Sequence, residues 1–152
     1  MEEKTNFKLK KIKLLKNGGV SAQYEQTNSQ NVNEEITVSV SDAPHPDLYE
    51  SLQAMEKRLT EVCHIQPEAV VEVTGFALSG SDENPGVVIT GKIMTESEIP
   101  VGLSSHRISL SHDIYGFEND LQKELDVAVS EIKEYLFNHK RAQLGLFDED
   151  DE

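Results

Sequence analysis

Two apolar stripes with helical spacing constrain this chain more than any other feature. Leu48, Leu52, Met55, Leu59 and Val62 recur at intervals of four, three, four and three. Phe117, Leu121, Leu125, Ala128, Ile132, then Tyr135 or Leu136, and His139 repeat the same rhythm. Residues three and four apart share one face of an α-helix, so each stripe requires a surface to cover. The rest of the chain must supply that surface.

It does so with short extended segments. In residues 35–41 Ile36, Val38 and Val40 alternate with Thr37, Ser39 and Ser41, the pattern of a strand buried on one side. "FKLKKIKLL" and "VSAQYEQ" flank Asn17-Gly18, which supplies the positive φ angles of a tight hairpin turn. Residues 27–35 have no apolar period and read as a loop or a long hairpin end. "AVVEVTGFALSG" and "GVVITGKIM" flank the turn-rich "SDENP", predicting a second hairpin. "VGLSSHRISL" gives a sixth extended segment. Pro46 suits only the start of a helix and Asp47 favours its positive end, so the first helix is predicted from Pro46 to Cys63. The second is predicted from about Ile114 to Arg141.

The order is three strands, a helix, three strands, a helix. Short connections imply antiparallel neighbours, and two one-sided helices imply one covered sheet face. The predicted fold class is therefore α+β: an antiparallel sheet of about six strands with two helices on one face, in βββα-βββα order. At 152 residues the chain has material for one core and too little for two. Residues 1–141 are predicted to form a single domain, with 142–152 a flexible tail.

The net charge of −14 is unevenly spread. Residues 1–20 carry +4 and residues 148–152 carry −5, leaving −13 for the middle. A chain this acidic is a poor candidate for wrapping duplex DNA, which needs clustered Lys and Arg. Only Lys8, Lys10, Lys11 and Lys13 offer a basic stripe for nucleic acid. The alternative reading is a solvated strand face whose lysines discourage edge pairing. No run of 18 apolar residues predicts a membrane span. The N-terminus has acids before its basic run and no small-residue cleavage site, so no secretory signal is expected. The lone Cys63 fits the reducing cytoplasm.

Reactive motifs are sparse. Cys63 and His64 are adjacent, but no second Cys completes a thiol-rich zinc set, and no H-x-x-x-H or H-E-x-x-H spacing occurs. "GFALSGSDENPG" lacks the G-x-S-x-G elbow, and its glycines serve a turn equally well. Phosphate-binding glycine motifs are missing. The expectation is a non-enzymatic protein with no catalytic residue, metal or cofactor.

The last ten residues read "QLGLFDEDDE". Gly145 is a good helix terminator, and five terminal acids draw the segment into water. Leu144, Leu146 and Phe147 then become apolar groups on a tether; on one reading they fold back as a clip on the domain. "QLGLF" resembles the bacterial sliding-clamp-binding motif: Gln, Leu, a small or acidic residue, Leu and Phe. The resemblance covers five residues of 152, with Gly145 where Ser, Asp or Asn is usual. It implies that Gln143 hydrogen-bonds at the rim of the clamp pocket and Leu144 packs beside it. Leu146 and Phe147 would fill the hydrophobic cleft. Burying those side chains contributes ~1.5–3 kcal/mol each. Ordering a free tail opposes this by ~1–2 kcal/mol per residue, so docking should be micromolar and reversible.

The rest of the chain resembles small proteins of unknown function found among the replication and recombination genes of bacteriophages and prophages. The shared features are "KLKKIKL…NGG", "PHPDL" before the first helix and a "KRAQLxLF" ending. The resemblance implies an accessory factor that docks on the host's sliding clamp and recruits itself to, or interferes with, DNA replication. The runner-up is a single-stranded DNA-binding or annealing protein with an acidic C-terminal tail. Such proteins need aromatic stacking platforms, and this chain has nine Phe and Tyr and no Trp.

Overall fold

Alternation and turn chemistry produce two three-stranded meanders that meet edge to edge. A computed structural model describes residues 7–27, 30–66, 69–81, 83–94, 99–112, 114–138 and 140. The first meander is β1 (Phe7–Leu14), β2 (Val20–Thr27) and β3 (Asn33–Val40). Two short helices follow, α1 (Pro46–Gln53) and α2 (Glu56–Val62). The second meander is β4 (Val71–Gly80), β5 (Pro85–Met94) and β6 (Pro100–Ser104), with a two-residue β7 (Ile108–Ser109) before α3 (Glu118–Phe137). The sheet order is β3-β2-β1-β4-β5-β6, with β7 also pairing β5; every pairing is antiparallel. The structure is α+β, as the order of elements predicts.

Both hairpins form where expected. Gly18 takes φ of 93°, and the Asn17 side chain accepts from the Gly19 N–H at 2.9 Å. The stretch 27–35 proves to be a hairpin end, because Thr27 already pairs with Asn33.

One sheet face and the helices share a single core. Leu9, Ile12, Val20, Tyr24, Val71, Val73, Phe76, Val87 and Ile89 meet both predicted stripes in one cluster. All five members of the first stripe are buried, as are Phe117, Leu121, Leu125, Ala128, Ile132 and Tyr135 of the second; His139 lies outside the described residues. Arg58 of α2 makes a two-pronged bond to Glu124 of α3, at 3.2 and 2.9 Å, and lies over the Phe117 ring. That contact fixes α2 and α3 against each other. It is half-sheltered, with 12% and 17% of the side chains exposed, so water screens it less than an open pair.

Three boundaries differ from expectation. The first helix breaks at Ala54–Met55, where the Met55 N–H bonds back to Leu52 rather than to Ser51, tightening one turn. The tightened turn coincides with complete burial of Met55. The last helix starts at Glu118 rather than Ile114: Gly116 has φ of 91°, and Ile114 is 72% exposed. The sixth segment splits into β6 and β7 because the buried Ser105 turns its hydroxyl to the Ile89 N–H (3.0 Å), interrupting the ladder.

Candidate docking site at the central seam

Three residue pairs join the two meanders: Lys11 with Ala77, Ile12 with Phe76 and Lys13 with Gly75. The closeness of that contact depends on Gly75, where a Cβ would collide with the Ile12 carbonyl oxygen of β1. Beyond Lys11 the ladder stops. Continuing its register would pair Lys10 with Leu78, Leu9 with Ser79, Lys8 with Gly80 and Phe7 with Ser81. Those eight residues instead line a cleft of about 270 Å³.

A bulge opens the cleft. β1 shifts register against β2 between Leu9 and Lys11, so Lys10 is an extra residue. A bulge bends its strand and strengthens its twist, which carries residues 7–10 away from β4. On that side the β1 and β4 edges face each other with no ladder between them, and backbone polar groups of an unpaired edge favour an extended chain.

The floor and rim differ in character. Phe7, Leu9, Leu78, Leu110 and Val129 make the interior side apolar, with Gln122 of α3 beside them. Lys8 and Lys10 line one wall. Across from them the Arg107 guanidinium bonds to the Ser79 hydroxyl (3.1 Å) and the Asn84 carbonyl (2.7 Å). It rests against Gly86, where any Cβ would collide with it. Lys8 and Lys10 are thus the charged residues of the described lining, with Arg107 next to it, in a chain whose net charge is −14. None of the described lining residues is Asp, Glu, His or Cys.

The bulge also settles where the four candidate lysines sit. Leu9 and Ile12 point into the core, and the doubled Lys10-Lys11 between them puts Lys8, Lys10, Lys11 and Lys13 together on the outer sheet face. Lys11 and Lys13 stand in mid-sheet, paired to β4 on one side and β2 on the other, whereas Lys8 and Lys10 lie where β1 has no ladder to β4. Lys10 pairs with Glu25 at 3.3 Å, and Glu35 stands opposite Glu25 on β3. Among the described residues no aromatic ring lies on that face: Phe7 and Tyr24 stack inward on Phe137, and Phe76 is buried.

Gln143, Leu144, Leu146 and Phe147, with the acidic run 148–152, lie outside the described residues. What is described is how the chain approaches them. α3 ends at Phe137. Lys140 then bonds to Asp47 at the start of α1 (2.9 Å) and to Glu131 (3.0 Å). The hydrogen bond from Lys140 holds the Asp47 carboxyl below its usual range, and donating to Asp47 and Glu131 raises the pKa of the Lys140 ammonium.

Other polar groups serve the scaffold. Ser109 bonds to His112 Nδ1 at 2.8 Å, and Ser111 reaches the Asn84 side chain at 3.2 Å, tying 109–112 to the β4–β5 turn. Burial raises the Cys63 thiol pKa, the opposite of what activates a thiolate nucleophile. Among the described residues no group of three or more His, Cys, Asp or Glu is placed to hold a metal ion. Nor is any described helix long and apolar enough to cross a membrane. No family model, curated protein or solved structure matches the chain.

The cleft was within reach of the sequence. Leu9 and Ile12 are three apart in a segment that otherwise alternates, and that break marks a bulge. The seam itself joins residues more than 60 positions apart, which no local pattern specifies.

Proposed function

We propose that this protein is a non-enzymatic accessory factor of the bacteriophage type that docks on the bacterial sliding clamp through Gln143, Leu144, Leu146 and Phe147. Docking would bring the folded domain to replicating DNA or obstruct other clients of the clamp. The observation that supports this most is that the described residues already form one continuous core from β1 to α3. Every buried hydrophobic residue of the described chain falls between Leu9 and Tyr135, and Lys140 is fastened to Asp47 and Glu131. On this reading the two Leu and one Phe of the motif are available to a partner. The test is competition: increasing amounts of the full-length protein should displace another clamp-motif peptide from purified clamp, and the Leu146→Ala/Phe147→Ala variant should not.

The second reading, single-stranded DNA binding, draws support from the four lysines sharing one open sheet face. It is weakened by the carboxylates of Glu25 and Glu35 on that face and by its want of rings for bases to stack on.

A further inference from the structure

We propose that the seam cleft is a docking site for the chain's own residues 143–152. The inference stands on the cleft and does not depend on clamp binding. Three observations choose this occupant. The cleft's volume, about 270 Å³, has room for a few apolar side chains. Its apolar floor beside Lys8 and Lys10, with the Arg107 guanidinium bonded to the lining residue Ser79, complements a segment in which Leu144, Leu146 and Phe147 precede five carboxylates.

The third observation is where the chain leaves the fold. Phe137, the last residue of α3, packs edge-to-face on Phe7, a residue of the cleft wall. The last described residue, Lys140, is held at the Glu134 carbonyl and the Glu131 carboxylate, and Val129 of the cleft floor lies five residues before Glu134 along α3, or about 8 Å. The stretch 141–147 spans up to about 25 Å when extended, so the apolar residues reach the floor. Tethering also keeps the tail at an effective concentration that an untethered peptide would need millimolar amounts to match. The facing edges 7–10 and 78–81, which have no ladder between them, give its backbone ladder partners, and the basic rim receives its acids.

A tail held in this way exchanges between the cleft and any external partner. The cleft then sets how much of it is available.

The experiment is nuclear magnetic resonance on the full-length, ¹⁵N-labelled protein as wild type, Lys8→Glu/Lys10→Glu and Leu146→Ala/Phe147→Ala. The expected result is that the tail substitutions shift amide signals of 7–10 and 78–81, and that the charge reversal lowers the heteronuclear NOE of 144–150. Raising salt on wild-type protein should reproduce that release without any substitution. The proposal is overturned if the tail substitutions leave the cleft signals unmoved, or if salt leaves the tail NOE unchanged. Shifts that grow with protein concentration would also overturn it, since they would place a second copy's tail in the cleft. A clamp titration separates this from the proposed function. Lys8→Glu/Lys10→Glu should tighten clamp binding by about threefold to tenfold, in proportion to the tail it releases. If no form of the protein binds clamp, the proposed function fails while the resonance result still decides the cleft.

Discussion

Phe7 opens β1 and Phe137 closes α3, and their rings meet edge-to-face with centroids 5.6 Å apart. Tyr24 completes the cluster at 5.0 Å from Phe7 and 5.7 Å from Phe137. The first strand and last helix are thus stitched together at one end of the sheet. Phe137 is 46% exposed, so its value lies in ring geometry more than in burial. With ~0.5–1.5 kcal/mol per aromatic pair, Phe137→Ala should cost about 1–2 kcal/mol in a urea melt. An unchanged midpoint would show that the cluster does not hold the end of α3.

The seam offers a sharper test. Gly75→Ala drives a Cβ against β1 backbone, which cannot move without parting the three pairs that join the meanders. A loss of about 2–3 kcal/mol is expected by denaturant unfolding. Gly102→Ala on the edge strand β6 meets only the Gly91 oxygen at 4.0 Å and should stay within ~0.5 kcal/mol of wild type. Equal losses at both positions would mean that strand propensity, and not the seam, sets the cost.

Glu118 gives the fold a defined response to acid. It is 4% exposed, and burial alone would raise its pKa. Hydrogen bonds from the Tyr115, Glu118, Ile114 and Gly116 N–H groups outweigh burial and lower it. A lowered folded-state pKa stabilises the protein fully above the unfolded value of about 4.3. The contribution disappears as pH falls from there through the folded value. Glu118→Gln should therefore cost about 2–3 kcal/mol at pH 7, with the gap to wild type steady down to about pH 5 and narrowing below it. A gap that widens on acidification would contradict the sign.

The lysine face separates the two functional readings. Replacing Lys8, Lys10, Lys11 and Lys13 with Gln should leave single-stranded DNA binding undetectable or unchanged in a fluorescence anisotropy titration. A salt-sensitive affinity that vanishes with them would favour the DNA-binding reading instead.

Elements with a strong local period were legible in the sequence: both stripes, the Asn17-Gly18 turn, the hairpin at 81–85 and the α+β order. Tertiary demands decided the rest. Nothing in "QAMEK" signals a break, because Ala and Met are good helix formers; the break appears only where the chain packs Met55 into the core. Ile114 and Phe117 fit a helical spacing, yet the Glu118 carboxylate gathers the N–H groups of 114–116 into a turn and delays the helix. The lysines were legible as a basic stripe. The central position of Lys11 and Lys13 follows from β1 pairing with β4, a contact between distant segments. The tail motif is read from sequence alone.

The most direct measurement is an isothermal titration of the full-length protein into purified bacterial sliding clamp, beside Leu146→Ala/Phe147→Ala and Gln143→Ala. Wild type should bind with a Kd of about micromolar to tens of micromolar. The double variant should show no heat of binding, and Gln143→Ala should bind more weakly than wild type. The double variant's melting temperature should fall by no more than a few degrees, the worth of a tail docked in the cleft by threefold to tenfold over its free form. Absence of wild-type binding at tens of micromolar, or a double variant that binds equally well, would contradict the central claim.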